Sequence, residues 1–206
     1  MDYNVLISFV LATAALAFSP GPDNIFVIIQ SAAYGRKSGM AVVAGLMSGC
    51  LIHTSLVAFG LSSFIKANEE LYWILKVFGA AYMLFLAFKV YKSKSTTTTV
   101  SNELNQKDFV DLFKQGFIMN VLNPKVSIFF LAFFPAFIFS DSISLFKQFY
   151  GLGFLFITTS FIVFSTFVML SGFFSKIFLN SPKKIKLLKR LQVGFYVGIA
   201  TLILNG

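Results

Sequence analysis

Ser19-Pro20-Gly21-Pro22-Asp23-Asn24 sits inside a mostly apolar run that extends from about Asn4 to Tyr34. Proline has no backbone N–H and its ring clashes with the preceding turn, so Pro20 and Pro22 interrupt any helix that the run forms. In hydrocarbon such an interruption is tolerable only where the freed backbone groups line protein or a water-filled cavity. The motif therefore predicts a broken membrane helix with a polar site at the break. A second motif, Asn123-Pro124-Lys125, interrupts another apolar run, from about Gly116 to Phe139.

The composition agrees with a bilayer setting. Of 206 residues, 57% are hydrophobic and only 12% are charged, against about 25% charged in a typical soluble domain. The same apolar excess excludes a disordered chain. At roughly 20 residues per span plus short loops, the length holds about six transmembrane helices and no separate soluble domain. The expected spans are 4–34, 39–64, 72–91, 116–139, 149–174 and 187–204. The polar stretch 92–114, with Ser95-Thr96-Thr97-Thr98-Thr99 in it, is a flexible connection between halves 1–91 and 115–206. The apolar segment Val5 to Phe18 has no basic flank and no small-x-small cleavage site after it, so it is expected to be retained.

The net charge of +9 suggests nucleic acid only until the basic residues are placed. Arg36 and Lys37 fall in the first connection. Lys89, Lys92, Lys94, Lys107 and Lys114 fall in the third, and Lys176, Lys183, Lys184, Lys186, Lys189 and Arg190 in the fifth. Only Lys66, Lys76 and Lys147 fall on the other side. Basic residues near span ends are held in the cytoplasm, so the odd connections are expected inside and both termini outside. The charge records orientation, and no nucleic-acid partner is expected.

Three spans per half make the halves enter the membrane in opposite directions, as in the inverted repeats of secondary transporters. Superposing Pro20 on Pro124 brings Gly45 close to Gly151; Lys76 and Arg190 each precede a tyrosine, Tyr82 and Tyr196, by six residues. The expected fold is thus an all-α, single-domain, polytopic membrane protein of six transmembrane helices in two inverted three-helix repeats, with helices 1 and 4 broken near the midplane. The depth follows from 1.5 Å per residue: Asp23 lies roughly 18 Å from Tyr34, and Pro124 roughly 15 Å from Lys114, in a core of about 30 Å. Two half-helix N-termini then meet at mid-depth. Asn123 is the expected N-cap of one, with Pro124 at its first position, and Ser19 or Asp23 the cap of the other. Such ends favour an anionic group such as a carboxylate.

Several individual residues admit two readings. Asp23 binds a substrate ammonium or carries a proton, or merely caps its half-helix. Lys125 holds a substrate carboxylate, or is a structural counter-ion paired with Asp23. His53 is a proton relay or a hydrogen-bonded packing histidine. Gly45 and Gly49 form a Gly-x-x-x-Gly pair that serves internal packing, or else a homo-oligomer contact or clearance for substrate. The Phe-rich fourth and fifth spans are expected to face lipid. Cys50 and His53 stand alone as the single Cys and His, so no disulfide, metal cluster or cofactor is expected. No nucleophile–base pair points to an enzyme.

Ser19-Pro20-Gly21-Pro22-Asp23-Asn24 followed by Gly35-Arg36-Lys37-Ser38-Gly39, then Ala44-Gly45-x-x-x-Gly49-x-x-x-His53, and later Gly116-Phe117-x-x-Asn120-x-x-Asn123-Pro124-Lys125, resemble the LysE/RhtB family of bacterial amino-acid exporters. The resemblance covers essentially the whole chain and leans toward the RhtB branch, associated with homoserine, threonine and other neutral amino acids. It implies an inner-membrane exporter of amino acids or close derivatives, driven by proton exchange. The substrate site is expected at the two breaks, among Ser19, Pro20, Gly21, Pro22, Asp23, Asn24, Asn120, Asn123, Pro124 and Lys125, with Asp23 and His53 as proton-coupling candidates. The alternatives are export of another small solute or a metal ion, the latter disfavoured by one Cys and one His, or a membrane assembly protein without transport activity.

Overall fold

A computed structural model describes residues 3–19, 21–61, 69–92, 108–174 and 182–205. The first apolar run folds as two helices, α1 (Tyr3–Phe18) and α2 (Pro22–Tyr34), that meet at 63°. Pro22 occupies the first position of α2, where its missing N–H leaves no bond unmade, and Gly21 before it is extended (φ −151°, ψ 177°). The cap expected from Ser19 or Asp23 is not formed: Gly21 is the N-cap, no side chain caps α2, and Asp23 falls within its first turn. Pro20 lies outside the described residues.

Gly35 alone joins α2 to α3 (Arg36–Leu56), which runs on as a π-helical turn over Val57–Leu61. Its φ of +88° is the left-handed value that glycine adopts without strain, and its N–H bonds to the Ser31 carbonyl. Arg36 and Lys37 therefore form the first turn of α3 instead of a loop. The next helices are α4 (Glu69–Lys92) and α5 (Phe109–Val121). The start of α5 precedes the expected Gly116 because Asp108 caps it, its carboxylate accepting the Phe109 N–H at 2.7 Å. After the second break, α6 (Pro124–Ile128) continues through a π-helical turn, Phe129–Phe133, and a 3₁₀ turn, Phe134–Phe137, that contains Pro135. Two long helices follow, α7 (Leu145–Met169) and α8 (Pro182–Asn205). Lys183, Lys184, Lys186, Lys189 and Arg190, expected in a connection, lie on the first turns of α8. Lys66, Lys94, Lys107, Lys176 and most of the polar middle stretch lie outside the described residues.

Every regular element among the described residues is helical. Two stretches, Arg36–Gly60 and Leu145–Met169, are long and apolar enough to cross a membrane, and α1 with α2 makes a third if the bent pair is one span. Large apolar side chains cover the outer surface, among them Leu51, Phe59, Trp73, Phe85, Ile162 and Phe154, the last 74% exposed. A water-facing surface rarely carries so much apolar area; hydrocarbon covers it at no cost.

Lipid removes the hydrophobic drive between helices, so close approach and packing must hold them together. The main contact is between α3 and α5, and glycines make it. A Cβ on Gly45 would overlap the Phe113 carbonyl, one on Gly116 would overlap the Val42 carbonyl, and one on Gly49 would come within 2.6 Å of Asn120 Oδ1. The helix α8 packs on α4, while α7 packs on α1, α2 and α3.

The buried apolar residues divide into two clusters. One holds Phe9 of α1 with Phe129, Phe130, Phe133, Phe134 and Phe137 of the α6 segment and Phe149 and Phe156 of α7. Phe9 meets Phe134 edge-on at 5.3 Å and Phe130 stacks on Phe134 at 4.2 Å. Such pairs contribute about 0.5–1.5 kcal/mol each beyond the area they bury. The second cluster is mostly aliphatic: Val27, Ile28, Val42, Val43, Leu46, Met47, Leu112, Val163 and Val168, with Phe164 and Phe167. The expectation that the Phe-rich spans face lipid is thus corrected for most of their rings, which form the core because the irregular α6 segment turns successive rings inward.

Candidate functional site

The two breaks meet. Asn123 is extended at the end of α5, and its Oδ1 accepts the Lys125 N–H at 3.0 Å, so it caps α6 with Pro124 at the first position. The amide's other end is then committed: Nδ2 donates to Asp23 Oδ2 at 2.7 Å. A single side chain thereby ties the first turn of α2 to the start of α6. Asp23 is only 7% exposed, so this bond satisfies a carboxylate that water barely reaches.

Lys125 reaches the other side of the first break. Its Nζ donates to the carbonyls of Leu16 and Ser19, both at 3.1 Å, at the C-terminal end of α1, where the Leu16 carbonyl also accepts the Ser19 N–H. It bonds these carbonyls and not the Asp23 carboxylate. Asn24 completes the frame by donating from Nδ2 to the Ala17 carbonyl at 2.6 Å. The positive ends of α2 and α6 thus face a carboxylate, and the negative end of α1 faces an ammonium.

Asn120, one turn before the break on α5, couples this frame to α3. Its Nδ2 donates to Cys50 Sγ at 3.5 Å, and its backbone carbonyl lies 3.2 Å from His53 Nε2. The carbonyl can only accept, so Nε2 carries the ring proton. The imidazole also lies against Phe130, with centroids 5.4 Å apart. His53 is on the α3 side, in contact with Asn120 and not with Asp23, while Gly45 and Gly49 are the surface on which α5 rests.

Asp23, Asn24, Asn120 and Lys125 line one cavity together with Cys50 and Ser160, and its apolar wall is Leu16, Ala17, Met47, Val126, Phe156 and Phe164. The wall residues come from both apolar clusters: Leu16, Cys50, Val126 and Phe156 from the aromatic one, Ala17, Met47 and Phe164 from the aliphatic one. The polar layer therefore separates two apolar plugs. The cavity measures about 30 Å³, room for about two water molecules and far below the roughly 300 Å³ of an open small-molecule site. As it stands, the cavity is too small to hold an amino acid.

Ser19 contributes its carbonyl, and its hydroxyl is buried without a partner. Gly21 and Pro22 shape the break and donate no side-chain bond. Cys50, Met47 and Ser160 join the site although neither motif contains them. For Ser160 the available signal is the polar run Thr158-Thr159-Ser160 inside an apolar span. Gln148, wholly buried on α7, lies outside the motifs as well: its Oε1 accepts the N–H groups of Phe139 and Ser140, and its Nε2 donates to the carbonyls of Ser140 and Ile143. It holds the connection between α6 and α7 closed over the aromatic cluster.

A family model described as LysE type translocator matches residues 14–204. A protein of Vibrio cholerae named "Uncharacterized membrane protein" is 26% identical over 205 residues, 98% of each chain. The "Leucine efflux protein" of Salmonella typhimurium is 28% identical over 212 residues, again 98% of each chain, as is the protein of that name from Salmonella typhi. No solved structure matches the chain.

Proposed function

The chain belongs to the LysE type translocator family, whose members are transporters and not enzymes, and from that premise we propose that it exports a neutral amino acid from the cytoplasm across the bacterial inner membrane. The observation that carries this reading is the bond between Asp23 and Asn123, which joins two helix breaks in a polar layer between two apolar plugs. A zwitterion needs one anionic and one cationic partner at a fixed separation, and the breaks supply both. The substrate ammonium faces Asp23, while its carboxylate takes Asn123, Lys125 and the positive end of α2.

Without substrate these groups satisfy one another: Asp23 takes the place of a substrate carboxylate at Asn123, and the Leu16 and Ser19 carbonyls hold Lys125. Substrate binding exchanges internal bonds for substrate bonds, which frees the two breaks to separate. Of the remaining substrate residues, Ser19, Gly21, Pro22, Asn24, Asn120 and Pro124 set the backbone course and the frame. The name of the Salmonella relatives supports a neutral side chain, and the apolar walls fit one.

Six spans follow if α1 with α2, and α5 with the α6 segment, each count as one broken span beside α3, α4, α7 and α8. Pro22 and Pro124 both stand at the first position of a half-helix, which supports aligning the repeats 1–91 and 115–206 on that pair. Rocking of the repeats about the polar layer opens one plug at a time. The start of α1 and the connection 138–142 line one open cleft, which supports placing the N-terminus and that connection on the same, outer face. Proton antiport uses Asp23, the one carboxylate among the described residues that line the cavity, with His53 behind Asn120 as a second carrier.

Export is tested in cells fed dipeptides. Expression lowers intracellular accumulation of the exported amino acid, whereas Asp23→Asn and Asn123→Ala, inserted at normal levels, leave it at the vector-only value. Wild-type export by both variants overturns the site.

A further inference from the structure

The hydroxyls of α7 are spent in different ways, Ser165 donating to Met40 Sδ at 4.0 Å. Thr158 and Thr166 donate to the carbonyls four residues earlier, Phe154 and Ile162, as hydroxyls in apolar helices commonly do. Ser160 makes no such bond. Its residue is 2% exposed, its Oγ has no partner, and it stands in the wall of the cavity that holds Asp23 and Lys125. A buried hydroxyl left unpaired is costly, and a Ser this deep would be expected to bond back to its own helix unless another partner is supplied in a different state.

The position says which part of a ligand that partner belongs to. The charged groups of a zwitterion are matched by Asp23, Asn123 and Lys125, on α2 and at the α5–α6 break. Ser160 sits opposite on α7, between Phe156 and Phe164 one turn to either side, with Met47 of α3 completing an apolar wall. We propose that Ser160 is a specificity-determining residue that pairs with a hydroxyl on the side chain of the transported amino acid, so that the site favours a hydroxylated side chain over an apolar one of the same shape. This rests on the amino-acid export proposed above. The wall of Met47, Phe156 and Phe164 accepts either side chain, and the Ser160 hydroxyl set in that wall distinguishes them.

Threonine and valine are the probes, because they differ by one hydroxyl in place of one methyl. Export of each is measured in dipeptide-fed cells for wild type and Ser160→Ala, at matched membrane levels. The expected result is a fall in the threonine-to-valine export ratio of about 2- to 10-fold in Ser160→Ala, the range one neutral hydrogen bond gives. Removing an unpaired buried hydroxyl leaves the fold intact, and thermal unfolding in detergent checks it. In the same measurement threonine protects the wild type more than valine does, and Ser160→Ala loses the difference. An unchanged ratio with both amino acids exported, or export of valine without threonine by the wild type, overturns the role of Ser160 and leaves the exporter reading standing. Failure of the wild type to export any amino acid of a dipeptide panel overturns both.

Discussion

Asn123 carries two unrelated duties with one amide, and this makes it the most exposed point of the site to substitution. Its oxygen caps α6 and its nitrogen neutralises the isolation of Asp23. Asn123→Ala removes both: loss of the cap costs about 0.5–2 kcal/mol, and an unpaired buried carboxylate costs about 1–3 kcal/mol or more. Thermal unfolding in detergent should register the sum. Asn123→Asp keeps the cap and sets two carboxylates against each other, a repulsion on the order of 4 kcal/mol at 4 Å and an effective dielectric of about 20. The double exchange Asp23→Asn with Asn123→Asp restores a carboxylate–amide pair, so it should recover most of the stability lost by Asn123→Asp alone. A double variant no more stable than the single one would show that the two side chains do not act as a pair.

The crossing of α3 and α5 is set by backbones in contact, and its glycines are not interchangeable with others in the chain. Gly45→Ala drives a methyl into the Phe113 carbonyl, and backbone cannot step aside as a side-chain tip can. The expected cost is about 1–3 kcal/mol, read as a lower unfolding temperature. A Cβ at Gly151 would meet nothing within 4 Å, so Gly151→Ala should be neutral or slightly stabilising through helix propensity. Equal effects at the two positions would contradict the close crossing. On α7, Gln148→Leu strips the connection 138–144 of the four bonds that Gln148 makes to it and leaves the N–H groups of Phe139 and Ser140 unmet. Faster amide exchange confined to that connection is the expected outcome, with α3 and α5 unaffected.

The molecule joins two apolar plugs of different chemistry through one polar layer. Its orientation can be read by thiol labelling, since Cys50 is buried and does not compete. Ser142→Cys and Lys37→Cys place thiols at exposed positions, on the α6–α7 connection and on the first turn of α3. With both termini outside, an impermeant reagent added to intact cells labels the first and not the second. Labelling of Lys37→Cys alone would invert the topology, and labelling of both from outside would break the assignment of faces.

Much of this was legible along the chain. Proline and glycine restrict the backbone wherever they stand, so both breaks, the Asn123 cap and the helical class followed from local chemistry and from apolar content that water would not tolerate. Boundaries were less legible where a cap decided them: Asp108 starts α5 seven residues before the apolar run suggested, and Gly35 shortens a connection to one residue. Three features depended on the assembled helices. Which rings face lipid was set by the π-helical and 3₁₀ turns after Pro124, because these change the angular spacing of successive side chains. That Asp23 bonds to Asn123 while Lys125 bonds to α1 was set by the approach of segments a hundred residues apart. The unspent hydroxyl of Ser160 has meaning only as part of the wall that α1, α2, α3 and α7 close around it, since a hydrogen-bond vacancy is a property of surroundings and not of a residue type.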